Sequence, residues 1–255
     1  MIVRGVAMYL IYAVAMVLLH PKYIYPFGSD PFVDPAFATH VLDDTQAHLH
    51  LSDGDTDGLA ILYFMGNGGS LAYFGAHLSV HRDAGHRVAA LAYPGGGGIP
   101  GNPSETVLKA QALDSYDWLV ARHEGPIAVH GYSLGTGLAL HVGANRDVNG
   151  IVLEAPYTRL CDLMMRASWL PACYIPGIQR WNSTSYVDQI EAPVLVLHGT
   201  EDDLIPITYG QKLVTGLLEA GQEVVFVPLA GANHHNTLHH PDYVKQFDDF
   251  LTNLP

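Results

Sequence analysis

Positive charge is scarce in this 255-residue chain: 12 lysines and arginines stand against 25 aspartates and glutamates, a formal net charge of −13. Binding a phosphate backbone requires a stripe of Lys and Arg that releases counterions, so nucleic acid is excluded as a partner. Cysteine is nearly absent as well. The two present, Cys161 and Cys173, form no C-x-x-C pair and cannot build a zinc site alone. They read either as small core thiols or as one disulfide, and the redox compartment decides which. No H-E-x-x-H helix, carboxylate-rich ligand set or Gly-Lys-Ser/Thr phosphate loop occurs. Despite 15 histidines, no metal and no cofactor is therefore expected. The run Asp53–Gly58 imitates the start of a calcium loop, but the twelfth position from Asp53 is Phe64 rather than a glutamate. Internal repeats are missing too. With 15% charged and 49% apolar residues, the chain is not disordered and suits one large domain with a sizeable core.

What is present begins with an apolar N-terminus. Gly5–Leu19 carries no charge, and Ile2 and Val3 extend it past Arg4, whose long side chain can snorkel to headgroups. No small-x-small cleavage site follows. The chain continues His20-Pro21-Lys22-Tyr23-Ile24-Tyr25, with lysine and tyrosines suited to a membrane–water interface. The expectation is an uncleaved, single-pass membrane anchor over residues 1–20, in preference to a cleaved signal or a buried core helix. Arg4 and the terminal amine, against Lys22 alone, place the N-terminus inside and the domain on the extracytoplasmic side. Residues 21–38, rich in Pro, Phe and Tyr, read as an irregular linker to a domain over 39–255.

Within that domain Gln46–Leu51 alternates like a strand, and Asp53–Gly58 reads as a hairpin turn to the next one. Short apolar runs follow at Leu59–Phe64, Val88–Tyr93, Ile127–His130, Gly150–Leu153, Pro193–His198 and Glu223–Pro228, as strands buried on both faces require. Helical stretches over Leu71–Ala84, Glu105–Arg122, Leu134–Ala144 and Thr208–Ala220 lie between most of them. The alternation predicts an α/β fold, a mostly parallel twisted sheet with helices on both faces. Tyr157 to about Tyr186 interrupts it with a Trp/Pro-rich insertion, read as a small cap.

Between the strand Ile127–His130 and the helix Leu134–Ala144 stands Gly131-Tyr132-Ser133-Leu134-Gly135. This G-x-S-x-G sequence is a nucleophile elbow: the turn is so tight that its flanking positions must lack side chains, and it presents the serine at a helix N-terminus. A serine nucleophile needs a base, and the base an orienting carboxylate, in the chain order serine, acid, histidine. Asp202 follows the strand ending at His198, and His234 or His235 follows the strand ending at Pro228. All of them lie beyond strand carboxyl ends, where side chains can converge. Asp203 is the better candidate for capping the next helix. Met65-Gly66-Asn67-Gly68-Gly69 supplies a turn whose Asn67 N–H, with that of Leu134, would face a developing oxyanion.

These segments resemble the α/β-hydrolase-domain proteins related to monoacylglycerol lipases and serine aminopeptidases, especially the small-capped, N-terminally anchored ones. Met65–Gly69 is similar to their His-Gly-Asn-Gly-Gly turn, with Met65 in place of the histidine. Tyr93–Gly97 through Gly101-Asn102-Pro103-Ser104-Glu105 resembles their glycine-rich segment, with Pro94 in place of arginine. Glu154-Ala155-Pro156-Tyr157-Thr158 and His198-Gly199-Thr200-Glu201-Asp202 are similar as well. The likeness runs along nearly the whole chain. Its histidine motif matches Gly231–Thr237 position for position at His234, whereas the His-Asn pair alone selects His235. The resemblance implies cofactor-free hydrolysis of an ester, thioester or amide through an acyl-enzyme on Ser133, His234 and Asp202. A hydrophobic small-molecule or lipid acyl ester is the expected substrate. The rivals are a peptidase or thioesterase of the same fold, or a membrane-anchored binding protein without turnover.

Overall fold

In the computed structural model residues 2–254 are described; Met1, the first residue of the expected anchor, and Pro255 lie outside the described residues. The chain opens with helix α1 (Ile2–Ile24) and strands β1 (Phe37–Val41), β2 (His48–Ser52) and β3 (Ala60–Phe64). It continues through α2 (Gly75–Asp83), β4 (Arg87–Ala92), α3 (Glu105–Val120), β5 (Ile127–Tyr132), α4 (Gly135–Gly143) and β6 (Gly150–Glu154). After α5 (Leu160–Ser168) come β7 (Val194–Gly199), α6 (Ile207–Glu219), β8 (Val224–Leu229) and α7 (Pro241–Thr252). The eight strands form one sheet in the order β1-β2-β4-β3-β5-β6-β7-β8, antiparallel where β2 meets β1 and β4 and parallel from β4 onward.

The central strands are mostly apolar because both faces are covered. Successive residues of a strand point to opposite sides. Leu62, Val129, Ile151 and Val196 pack with Leu108 and Ala112 of α3, Leu138 of α4 and Leu213 of α6. Their neighbours Ile61, Ala128, Val152, Leu195 and Leu197 meet Tyr243, Phe247 and Leu251 of α7.

One expectation is overturned. Asp53–Gly58 is not a hairpin turn, because β2 and β3 are not neighbours: β4 lies between them, antiparallel to β2 and parallel to β3. Turn-forming residues fix a local reversal of the chain but not which strand comes to lie alongside. The expected helix over 71–84 is a 3₁₀ turn at Leu71–Phe74 followed by α2.

Helix α1 runs to Ile24, through Pro21. Proline has no N–H to give Val17, and the His20 ring supplies one instead: Nδ1–H donates to the Val17 carbonyl at 2.6 Å. That fixes the tautomer, so Nε2 accepts the Gln179 N–H at 3.2 Å. The C-terminal half of α1 is thus seated on the insertion between β6 and β7. Tyr12 donates its hydroxyl to the Ser168 carbonyl at 2.9 Å. Val17 packs against Cys161, Ala172, Cys173 and Ile178. Cys161 and Cys173 are joined by a disulfide within the insertion. Past α1, Phe27 bridges Gly69, and the Gly28 N–H donates to the Gly69 carbonyl at 2.7 Å. The segment read as a linker therefore braces the glycine turn after β3.

Candidate active site

Ser133 stands between β5 and α4 with φ of +51°, a left-handed conformation that a serine adopts only when its surroundings impose it. The sequence supplies what that needs. A Cβ on Gly131 would lie 2.3 Å from the Gly135 carbonyl oxygen, and one on Gly135 would lie 2.0 Å from that of Phe64. The backbone is held from beneath, where the Ser133 N–H donates to the Glu154 carbonyl at 2.8 Å.

The loops after β7 and β8 bring Asp202 and His234 to this serine. His234 Nδ1 lies 2.7 Å from Asp202 Oδ2, and its Nε2 lies 3.0 Å from Ser133 Oγ. All three are buried, with 5% or less of their surface exposed. Burial pushes the Asp202 carboxyl up. Hydrogen bonds from His198 and His234 and the Ile205 N–H outweigh it and hold the carboxyl well below the usual carboxylate range. An ionised carboxylate only accepts, so Nδ1 carries the imidazole proton and Nε2 accepts the Ser133 hydroxyl. His235 is exposed, its ring edge-on to His234 at 5.2 Å between centroids. Asp203 does not cap α6, which begins after Pro206 without a side-chain cap.

Two recesses meet at Ser133. One, of 220 Å³, is apolar and lies under α5, between Leu160, Leu163, Met164 and Ala167 on that helix and Leu204 and Ile205 opposite. Asn67 and Leu134 line it beside Ser133. The other, of 600 Å³, is more polar and holds His234, His77, Tyr73 and Tyr132, with Asn67 and Ser133 again on its wall. All five residues singled out in the sequence are thus gathered at one place.

Others the sequence reading passed over. His198 donates from Nε2 to the Ile205 carbonyl at 2.8 Å, with Asp202 Oδ2 3.5 Å away, so it steadies the acid loop. Tyr132 donates its hydroxyl to the His234 carbonyl at 2.5 Å. Both stand inside quoted motifs, at the end of a strand, and that position was their only signal. Among the described residues the one cluster with metal-ligand spacing is Cys161, Asp162 and Cys173, whose sulfurs are already bonded to each other.

The sequence profile of the prolyl oligopeptidase family matches residues 123–254, a span containing Ser133, Asp202 and His234. An uncharacterized protein of Mycobacterium tuberculosis is 31% identical over 207 residues, covering 80% of this chain and 72% of its own. Lysophosphatidylserine lipase ABHD12 of Danio rerio is 28% identical over 221 residues, covering 75% of this chain. This chain spans 57% of that relative's length. Among solved structures, the Pyrococcus furiosus esterase Pf2001 superposes with a TM-score of 0.70 over 90% of this chain and 99% of its own, at 16% identity. Thermogutta terrifontis esterase 2 does so with a TM-score of 0.67 over 86% of this chain and 94% of its own, at 19% identity.

Proposed function

For a chain that belongs to the prolyl oligopeptidase family, serine hydrolases of the α/β-hydrolase fold, we propose that Ser133, His234 and Asp202 are the catalytic triad of an acyl ester hydrolase. The observation that carries this reading is the buried hydrogen-bonded chain Ser133–His234–Asp202 opening onto an apolar recess. In it, His234 takes the Ser133 proton as Oγ attacks the ester carbonyl, and Asp202 keeps the imidazole in the tautomer that can accept. The N–H groups of Asn67 and Leu134 stabilise the oxyanion. His234 returns its proton to the departing alcohol, and water then hydrolyses the acyl-enzyme by the same route.

The acyl chain lies in the recess under α5 and the alcohol in the polar recess beside His77. The lipase name of the ABHD12 relatives supports a lipid ester. The match to a peptidase family supports a second reading, cleavage of an amide. Acyl esters of graded chain length, assayed beside aminoacyl amides, separate the two by kcat/KM. Ser133→Ala is expected to fold and to lose roughly 10⁴-fold in kcat. Labelling of Ser133 by a fluorophosphonate tests whether the site turns over at all, and retention of a tenth of the activity in S133A would remove the nucleophile assignment.

Helix α1, which between Arg4 and Ile24 holds an 18-residue stretch of mean hydropathy 1.4, attaches the enzyme to a membrane in this reading. The Cys161–Cys173 disulfide supports an extracytoplasmic catalytic domain, since such bonds persist in oxidising compartments.

A further inference from the structure

Glu154 ends β6 with its side chain fully buried, although the proposed chemistry makes no use of it. A buried carboxylate is costly unless donors converge on it. Here they do. Oε1 accepts the Thr237 hydroxyl, and Oε2 accepts the Tyr243 hydroxyl at 2.9 Å. His77 Nε2 and His130 Nε2 face the same oxygen at 3.4 and 3.5 Å. His130 in turn accepts at Nδ1 from His81 Nε2 at 3.0 Å. Burial opposes ionisation of Glu154, but the two histidines beside it prevail and hold the carboxyl well below its ordinary range. An ionised carboxylate presents about four acceptor sites and no donor, which matches surroundings made of donors.

What matters is where those donors sit. Thr237 comes three residues after His234, on the same loop, and is itself buried. Tyr243 lies on α7, beyond that loop. The Glu154 backbone meanwhile holds the Ser133 N–H. One residue therefore ties the main chain of the serine to the loop that carries the histidine, from below, while Tyr132 holds the His234 carbonyl directly.

We infer that Glu154 is a positioning residue, which through Thr237 sets the His234 ring in line with Ser133. The inference rests on the triad reading above. A purely structural Glu154 would make Thr237 and Tyr243 equivalent anchors. A positioning one makes them differ, because only Thr237 belongs to the His234 loop, and a displacement of about 1 Å at a reacting group can cost 10²-fold in rate.

The test compares Thr237→Val, Thr237→Ser and Tyr243→Phe in the full chain, reading kcat, KM, the rate of fluorophosphonate labelling and Tm. Expected is a fall of roughly 10- to 100-fold in kcat and labelling rate for T237V at unchanged KM, with recovery in T237S. Y243F should lower Tm while keeping kcat near the parent's. Glu154→Gln combined with T237V should cost no more than the larger single loss. A folded T237V with parental kcat and labelling rate would overturn the inference, and so would equal kcat losses in T237V and Y243F. His234→Ala is measured alongside: if that variant keeps its activity, the triad reading itself falls, whatever T237V does.

Discussion

At the scale of single residues, two adjacent histidines after β8 have opposite environments. His234 is buried between Asp202 and Ser133, whereas His235 is exposed and ties its N–H to the Asn233 side chain at 2.9 Å. His234→Ala is therefore expected to lose activity on the scale of triad removal, about 10⁴-fold in kcat, and His235→Ala only modestly. Reversal of that order in steady-state assays would make His235 the base. In the sequence, spacing on both sides of His234 is what favours it over His235. The bracing by His198, Tyr132 and Glu154 was not legible there: Tyr132 and Glu154 are strand-end residues whose partners lie on the distant His234 loop, and His198 reaches back only where the loop after its own strand folds over it.

Other histidines set an acid limit on stability. Burial, with His48 and His40 nearby, pushes His50 down to about 4, and burial, with Lys109 and Arg146 nearby, does the same to His141. Burial holds His130 down and His81 well below the usual imidazole value. These rings stay neutral in the fold but titrate near 6.5 once it opens, so below about pH 6.5 the unfolded state binds more protons. Their contribution is fully present above that pH and is lost as pH falls toward 4. Denaturant melts from pH 7.5 to 4.5 should show stability declining from about pH 6.5 downward, with a shallower slope in His81→Leu. A flat profile down to pH 5 would contradict this.

Among the elements, α5 would decide which esters fit if the acyl chain lies where it is proposed to. Leu160, Leu163, Met164 and Ala167 follow the spacing of one helical face and form one wall of the apolar recess. Cys161 and Met165 turn the other way, into the cluster that meets α1, and the Ser168 carbonyl accepts the Tyr12 hydroxyl of that helix. Ala167→Trp should fill the recess. Its kcat/KM on long-chain esters is expected to fall by an order of magnitude or more, with acetyl esters hydrolysed nearly as before. An equal loss on both would mean that the chain lies elsewhere. Strands β3 to β7 could be read from sequence because both faces of the sheet are covered there, which leaves continuous apolar runs such as Ile61–Phe64 and Leu195–Leu197, whereas β1, a largely exposed edge strand that begins inside the expected linker, was not read. Strand order was not readable at Asp53–Gly58, where turn chemistry is satisfied equally by a hairpin or by a crossover. Nor could composition choose between thiols and a disulfide for Cys161 and Cys173, since the answer lies in how the insertion folds back at the Arg159–Asn182 bridge.

For the whole molecule, the apolar N-terminal run was plain in the sequence, but its docking was not. The face that meets the insertion, Val17 and His20 with Tyr12 above them, is as apolar or as neutral as the face that does not. The docking has a consequence in depth. From Ile24 back to Tyr12 an α-helix climbs about 18 Å, and from Tyr12 to Arg4 about 12 Å more. An upright α1 with Arg4 at one headgroup layer would sink Ser168 and its neighbours about 18 Å below the other layer, to within about 12 Å of Arg4's, in a hydrocarbon slab about 30 Å thick. Arg166 and Trp169 would go with them, and an arginine there is costly. If α1 is the membrane anchor proposed above, a docked α1 would meet lipid at a shallow tilt, with Trp169, 90% exposed, at the waterline where tryptophan prefers to sit. Its emission should shift to the blue and be quenched by lipids brominated near the headgroup, a signal absent in Trp169→Phe; quenching only by lipids brominated at the chain ends would mean an upright helix. At that tilt α5, with α1 on one side and the Ser133 recess on the other, would lie between the leaflet and the serine. An ester leaving the lipid would reach the serine along α5, without passing through bulk water.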